Sequence, residues 1–305
     1  MLFRSDLRKR RALYAGLAAT WLMLPLLIGG VSLKNKMGDG LDYFTPWTYA
    51  KTQGTVILHY LRLCFVPYPL CVDYDDWPRA TSLLPGLVVA GLVGLAAWGT
   101  WRKRWWGYLG ACFFLILAPT SSFIPLATEV AAERRMYLPA LAVVIAFLAA
   151  LGSARRLVLP ALLLLAGTLT VLRNADYRTE ETIWRDVVAK RPHNVRALIN
   201  LAAISPADAP DLYARALQLA PDNAEAHYNY GVILAGKNQL DTALHHLQRA
   251  AELAPKSSLA QYQVAVLLAK LGKFPAAEAA AQRALALEPS SAKAQKLLHA
   301  IQASQ

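Results

Sequence analysis

The chain has 305 residues, of which 56% are hydrophobic and 17% charged, with a net charge of +12. A soluble domain carries roughly a quarter charged residues, so this composition excludes a single water-soluble domain and indicates that part of the chain lies in lipid. Residues 1–173 carry 18 Lys and Arg against 8 Asp and Glu, while residues 174–305 carry 14 against 12. The nearly neutral second part argues against nucleic-acid binding, which needs a basic soluble surface.

Five apolar runs in the first part approach the length of about 20 residues that a helix needs to cross a bilayer. Purely basic clusters precede the first run, separate the second from the third, and separate the fourth from the fifth. Because short cytoplasmic loops retain Lys and Arg, these clusters predict a cytoplasmic N-terminus and an extracytoplasmic second part. The runs are 13–33, 83–101, 105–124, 137–151 and 157–172.

The predicted fold class is therefore all-α, with a polytopic membrane bundle over residues 1–173 followed by a helical domain over residues 174–305. Extracytoplasmic loops are expected at 34–82 and 121–136. In the first loop, Thr45 as N-cap and Pro46 at the first helical position predict a helix. Its apolar residues at helical spacing form a stripe that lies either in the membrane interface or on other protein. They are Trp47, Ala50, Gly54, Ile57, Leu58, Leu61 and Phe65.

The same loop continues with acidic residues and two cysteines. Asp75 and Asp76 are the candidate catalytic residues, since paired carboxylates can act as a general base or hold a cation; a solvated turn is the alternative. Cys64 and Cys71 share a loop in which a disulfide can persist, and the sequence leaves that pairing open. Because no His or Cys set has metal-ligand spacing, neither a metal nor a cofactor is expected.

The loop at 121–136 ends in a cluster of charged residues beside the fourth apolar run. Arg134 and Arg135, with Glu133, are candidates for binding a lipid phosphate, because guanidinium matches phosphate geometry. Anchoring at the membrane interface with internal ion pairing is the alternative. The partners expected for this part are membrane lipid and a second membrane subunit.

Residues 174–305 contain a repeat. Pro221, Pro255 and Pro289 recur at equal intervals, each after an Ala-rich helical segment, and the interval is the period of about 34 residues that tetratricopeptide repeats have. Small residues such as Gly231 facing Ala243 fit this assignment, because they let two helices approach closely. An earlier unit is shorter, and we expect its missing residues to come from the turn at 205–208. Residues 292–301 are predicted to form a capping helix.

Arrays of this kind bind peptides or proteins in the groove lined by their first helices. Asn200, Asn229 and Gln263 recur at one position in three units, which predicts either hydrogen bonding to a bound backbone or a simple solvated face. Tyr228 and Tyr262 precede two of these amides and are predicted to line the same groove.

The chain resembles the transmembrane and tetratricopeptide-repeat O-mannosyltransferase family, whose members are type C glycosyltransferases. The resemblance is carried by Leu70-Cys71-Val72-Asp73-Tyr74, Ile124-Pro125-Leu126, the segment Glu133–Pro139, and the repeats. It implies a polyprenyl-phosphate sugar as donor, a protein hydroxyl as acceptor, and donor contact by Arg134 and Arg135. The matched segments correspond to the C-terminal part of that family's membrane domain, after its catalytic acidic loop.

The sequence thus predicts a membrane-anchored repeat protein related to lipid-linked-sugar glycosyltransferases, which presents an extracytoplasmic groove to a protein acceptor or partner. One alternative is an active minimal O-glycosyltransferase using Asp75 or Asp76. Another is an assembly scaffold for a cell-surface or secretion complex, with no sugar lipid involved.

Overall fold

The computed structural model describes residues 45–121 and 129–304, and the regular structure in these ranges is helical without strands. The predicted first span, residues 13–33, lies outside the described residues, as does the resembling segment 124–126. Short 3-10 turns at Glu133–Met136 and Gly152–Ala154 flank the fourth helix. The first five helices are α1 (Pro46–Phe65), α2 (Leu84–Trp101), α3 (Trp105–Leu117), α4 (Tyr137–Ala150) and α5 (Arg155–Asp176).

The chain divides into two compact units. The described part of the first contains α1, α2, α3 and the start of α4. The second contains the remainder of the chain from Phe147 onward, together with Pro67–Trp77 and Ala131–Glu133. The segment Pro67–Trp77, which we name the acidic segment, therefore belongs to the compact unit of the repeats.

Glycines allow close helix packing in the first unit. A Cβ atom at Gly107 of α3 would overlap the backbone of Gly99 in α2, and one at Gly54 of α1 would lie 2.7 Å from the backbone of Gly86. No larger residue fits at such a close approach, so these helices pack backbone against backbone, as small residues permit between helices in membranes.

Helix α1 begins as predicted, with the Thr45 side chain accepting a hydrogen bond from the Thr48 amide. The predicted apolar stripe is partly wrong, because its two end residues, Trp47 and Phe65, are 62% and 66% exposed. The buried face is rotated to include Thr52 and Gln53. Polar residues can lie inward here because Thr52 Oγ1 accepts from the Ala80 amide and Gln53 Nε2 donates to the Val130 carbonyl.

The structure does not support the five-span bundle. Among the described residues, two helices are long and apolar enough to cross a bilayer: Leu84–Trp101, and Gly152–Asp176, which includes α5. The predicted third and fourth spans form helices that are shorter than a bilayer crossing requires, since α3 has 13 residues and α4 has 14. At about 1.5 Å per residue, both cover only about 20 Å.

Eight further helices follow in the described part of the second unit, and adjacent helices pack side by side. Three pairs form the repeats, and one helix flanks them at each end. Buried alanines and leucines fill the space between the helices, as the repeat pattern predicts. The helices are α6 (Glu180–Lys190), α7 (Val195–Ile204), α8 (Ala209–Leu219), α9 (Ala224–Gly236), α10 (Leu240–Leu253), α11 (Ser258–Lys270), α12 (Phe274–Leu287) and α13 (Ala292–Gln302).

Caps and turns repeat along with the helices. Asn194, Asn223 and Ser257 each cap the first helix of a repeat by accepting a backbone N–H three residues ahead. Asn238 and Gly272, one repeat period apart, both have positive φ in the turn between the two helices. That conformation favours Asn and Gly, so the local chemistry ends each first helix at the same place.

The predicted origin of the short first repeat is wrong. Helices α7 and α8 have 10 and 11 residues, whereas α9 and α10 have 13 and 14. The turn at 205–208 is one residue longer than the turn at 237–239. The first repeat is therefore short because its two helices are short, and not because its turn is. Its outer boundaries match those of the other repeats, since Asn194 caps the start of α7 and Pro221 follows the end of α8.

Candidate protein-binding groove

The amides predicted to line a groove share one position in the first helices of three repeats. Asn200 in α7, Asn229 in α9 and Gln263 in α11 are each the sixth residue of their helix, and all three are half-buried. Tyr228 and Tyr262 precede two of them and are also half-buried. Helical register thus repeats an amide beside an aromatic ring in α9 and α11.

The three amides differ in their partners. Asn229 hydrogen-bonds the hydroxyl of Tyr213, which is almost fully buried in the preceding repeat. Burial raises the pKa of Tyr213 to about 12, nearby Glu225 adds to the rise, and the Asn229 bond opposes it. By contrast, Asn200 and Gln263 form no hydrogen bond with the described part of the chain. Two amides of the row are therefore free to bind a ligand, while the third stabilises the contact between repeats.

The acidic segment binds the beginning of the first repeat. Arg196 of α7 donates through one nitrogen to Asp73 at 3.1 Å and through the other to Asp75 at 2.6 Å. The Asn194 side-chain amide lies 3.4 Å from Asp73. Burial raises the pKa of Asp73, and the positive charge of Arg196 opposes that rise. Both carboxylates are thus engaged by one guanidinium.

The second candidate catalytic carboxylate is engaged as well. Arg191 pairs with Asp76, and its guanidinium lies 4.8 Å from the ring centroid of Tyr74 and 5.6 Å from that of Trp77. This stacking adds a cation–π attraction to the ion pair. Asp75 and Asp76 therefore hold the acidic segment on the repeats in this structure.

Glu133 is engaged inside the same unit. Its carboxylate accepts a hydrogen bond from the Cys71 amide at 2.6 Å and another from the Tyr74 hydroxyl. Burial raises the pKa of Glu133, and both hydrogen bonds oppose that rise. Burial and the hydrogen bond to Glu133 raise the pKa of Tyr74. Residues of the two resembling segments, 70–74 and 133–139, thus meet at one carboxylate.

The two candidate lipid-phosphate arginines have different surroundings. The side chain of Arg135 is 7% exposed, and its guanidinium donates to the carbonyls of Thr120, Val130 and Glu129. The side chain of Arg134 is 68% exposed and pairs with the Glu129 carboxylate at 2.6 Å. Arg135 therefore satisfies backbone carbonyls, and Arg134 is the one of the two that an anion can reach.

The thiols of Cys64 and Cys71 are both free, so the disulfide that the sequence leaves open is not formed in this structure. Burial raises the pKa of Cys71, whose thiol donates to the Asp73 carbonyl at 3.2 Å.

Sequence reasoning missed the basic residues that bind the acidic segment. Lys190, Arg191 and Arg196 are about 115 to 123 residues from their partners along the chain, and no local pattern indicates such a pairing. The sequence carries one signal for Arg196. It is the second residue of its helix, where the next two repeats have Glu225 and Leu259, so a positive charge at this position departs from the repeat pattern.

Comparison with known proteins supports the repeat assignment. Residues 212–245 match the tetratricopeptide repeat family, a length of one repeat that begins in α8 and ends in α10. No curated protein sequence matches the chain.

Solved structures resemble part of the chain. A crystal structure of MamA is 22% identical, covering 43% of this chain and 80% of that chain, with a TM-score of 0.40. A double mutant of MamA from RS-1 is 19% identical, covering 47% and 84%, with a TM-score of 0.39. The tetratricopeptide-repeat domain of Arabidopsis OM64 is 17% identical, covering 36% and 96%, with a TM-score of 0.35.

Neither the family match nor these structures link the chain to the O-mannosyltransferase family. The described part of the chain is all-helical, and its residues 212–245 match a tetratricopeptide repeat, a motif suited to protein–protein interaction.

Proposed function

We propose that this chain is a membrane-anchored binding protein whose repeats hold an extended segment of another protein. The observation that carries this proposal is the row formed by Asn200, Asn229 and Gln263. Two of its amides have no partner in the described part of the chain, and Tyr228 and Tyr262 lie beside the row. An extended backbone offers N–H and C=O groups at regular intervals, which amides at successive repeats can satisfy.

Membrane anchoring is supported by apolar side chains that the protein does not cover. Helix α5 buries none of its residues, and α2 buries only Ala96 and Gly99. An apolar groove of about 370 Å³ lies between helices of the first unit, lined by residues such as Leu61, Trp106 and Phe113. Water disfavours such surfaces, whereas lipid chains cover them.

The proposed orientation places the N-terminus in the cytoplasm and the repeats outside it, on the basis of the basic clusters beside the apolar runs. A phosphatase reporter fused to the C-terminus of the full chain is expected to be active outside the cytoplasm. Reporter activity confined to the cytoplasm would contradict this orientation.

The resemblance to the O-mannosyltransferase family suggests one class of partner, a protein that accepts sugar from a polyprenyl-phosphate donor. Catalysis by Asp75 or Asp76 is not part of the proposal, because Arg196 and Arg191 engage these carboxylates. We expect no sugar transfer from a polyprenyl-phosphate sugar to an acceptor peptide. Transfer that Asp75→Asn/Asp76→Asn abolishes would favour the minimal enzyme instead.

The groove itself is tested with an array of extended peptides and the full chain in detergent. We expect Asn200→Ala/Gln263→Ala to weaken the binding of peptides that the wild type retains by about thirtyfold, since each of the two lost hydrogen bonds contributes about 1 kcal/mol. The matched control is Gln248→Ala/Gln282→Ala, which removes two exposed amides from second helices of the array. Equal losses in the two variants, or no peptide bound by the wild type, would refute the groove.

A further inference from the structure

The last helix, α13, is in register with the first helices of the repeats. Helix α13 begins at Ala292, one repeat period after α11 begins at Ser258. Lys293 therefore occupies the position of Arg196, Glu225 and Leu259, and Lys296 occupies the position of Tyr228 and Tyr262. Both lysines are exposed. The groove-lining positions of the last helix thus carry two positive charges.

Charge along the repeats is unevenly distributed. Residues 209–253 contain three Lys and Arg against five Asp and Glu, whereas residues 254–304 contain six against two. Neither Lys293 nor Lys296 forms an ion pair with any described residue. The nearby Glu288 accepts a hydrogen bond from the Ser258 hydroxyl instead. The final repeat therefore carries an excess of positive charge, and Lys293 and Lys296 have no carboxylate partner among the described residues.

The opposite end of the same row shows what such a cation binds. Arg196 holds two carboxylates of the acidic segment that are two residues apart in the chain. That segment is not helical between Pro67 and Asp73. A cation at this position of a first helix thus binds alternate acidic residues of an irregular segment.

From these three observations we propose that the last helix of the array, through Lys293 and Lys296, binds an acidic stretch of the partner protein. This inference rests on the proposed function, because it names the partner for the same groove. The acidic stretch lies at the end of the bound segment nearest α13, and less charged residues contact Tyr228 and Tyr262. The internal acidic segment occupies the cation at the other end, so partner carboxylates are drawn to the free one.

Two labelled peptides of about twelve residues test this inference by fluorescence anisotropy with the full chain in neutral detergent. One carries Asp-Gly-Asp-Asp at one end, and the other has Asn in place of each Asp. We expect the acidic peptide to bind about tenfold more tightly at about 50 mM salt, and its advantage to shrink at about 300 mM. We also expect Lys293→Glu/Lys296→Glu to remove the advantage.

A control with the same net charge change, Lys256→Glu/Lys273→Glu, alters two exposed lysines between helices and is expected to keep the preference. A milder pair, Lys293→Gln/Lys296→Gln, should reduce the preference to about threefold or less, because it removes the two positive charges without adding negative ones. Equal binding of the two peptides by the wild type, or equal losses in both charge-reversed variants, would overturn the inference. If the inference fails but the neutral peptide still binds, and its binding depends on Asn200 and Gln263, the proposed function stands. If neither peptide binds, both the inference and the proposed function are refuted.

Discussion

Removal of Arg196 should release the acidic segment from the repeats. In Arg196→Ala, Asp73 loses its ion pair while its side chain is only 9% exposed, and Asp75 loses a pair that is about one third exposed. An unpaired, fully buried charge costs about 3–5 kcal/mol, and we take about half of that for Asp73 because the Asn194 amide remains. The exposed pair adds about 0.5 kcal/mol. We therefore expect the segment to be destabilised by about 2–3 kcal/mol.

Hydrogen exchange of the full chain in detergent measures this loss directly. Backbone amides of residues 70–77 should exchange about 30- to 150-fold faster in Arg196→Ala than in the wild type at neutral pH. The matched control is Arg215→Ala, because Arg215 is exposed and, within the described ranges, its guanidinium donates only to the Pro192 carbonyl at 3.5 Å.

The effect should depend on pH. Burial raises the pKa of Asp73 and Arg196 opposes the rise, so removing Arg196 raises that pKa further. A protonated carboxyl carries no unpaired charge, and the destabilisation should therefore shrink as the pH falls through the pKa of Asp73. Exchange within about twofold of the wild type at neutral pH, or an equal effect in Arg215→Ala, would refute this reasoning.

Two further predictions concern the second repeat. In Gly231→Ala the added Cβ would lie 2.7 Å from Leu247 Cγ. We therefore expect hydrogen exchange in α9 and α10 to report that these helices lose about 1–3 kcal/mol of stability. The control Gly236→Ala has open space around its added Cβ and should cost no stability. A loss of the same size at both glycines would exclude steric overlap as the cause. Burial, with smaller contributions from neighbouring histidines, lowers the pKa of His246 to about 4. The stability of these helices should therefore fall as the pH drops below about 6.5, the pKa of an unperturbed histidine. After allowance for solvent screening, we expect the loss to be about 1 kcal/mol at about pH 5. His246→Phe should remove this dependence, and an unchanged pH profile in that variant would assign it to another group.

The repeats could be predicted from sequence because their determinants are local and periodic. Pro221 and Pro255 fix the period, and Gly231 marks the close approach of two helices, since a Cβ there would also lie 3.1 Å from the Ala243 carbonyl. The capping residues Asn223 and Ser257 precede their helices at the expected place. Each of these signals acts within one or two helices, where spacing along the chain determines spacing in the fold.

The parts that could not be predicted depend on partners far along the chain. Hydrophobic spacing misjudged the buried face of α1, because Gln53 becomes acceptable inside only through the Val130 carbonyl, 77 residues away. Likewise, Asp75 and Asp76 have the composition of a catalytic pair, and only the fold reveals that arginines engage them. The amide row was visible in sequence, but the bond from Asn229 to Tyr213 between repeats was not.

The discontinuity of the second unit has a consequence for biosynthesis. Asp73 precedes Arg196 by 123 residues, so at about 5–20 residues per second the ribosome makes the acidic segment roughly 6–25 s before its arginine. During that interval its carboxylates face solvent or other polypeptides rather than the repeats. The rate of translation, and any protein that binds the nascent acidic segment, therefore affect whether this segment reaches Arg196. A chain translated from a start codon after residue 77 would complete its repeats without the acidic segment.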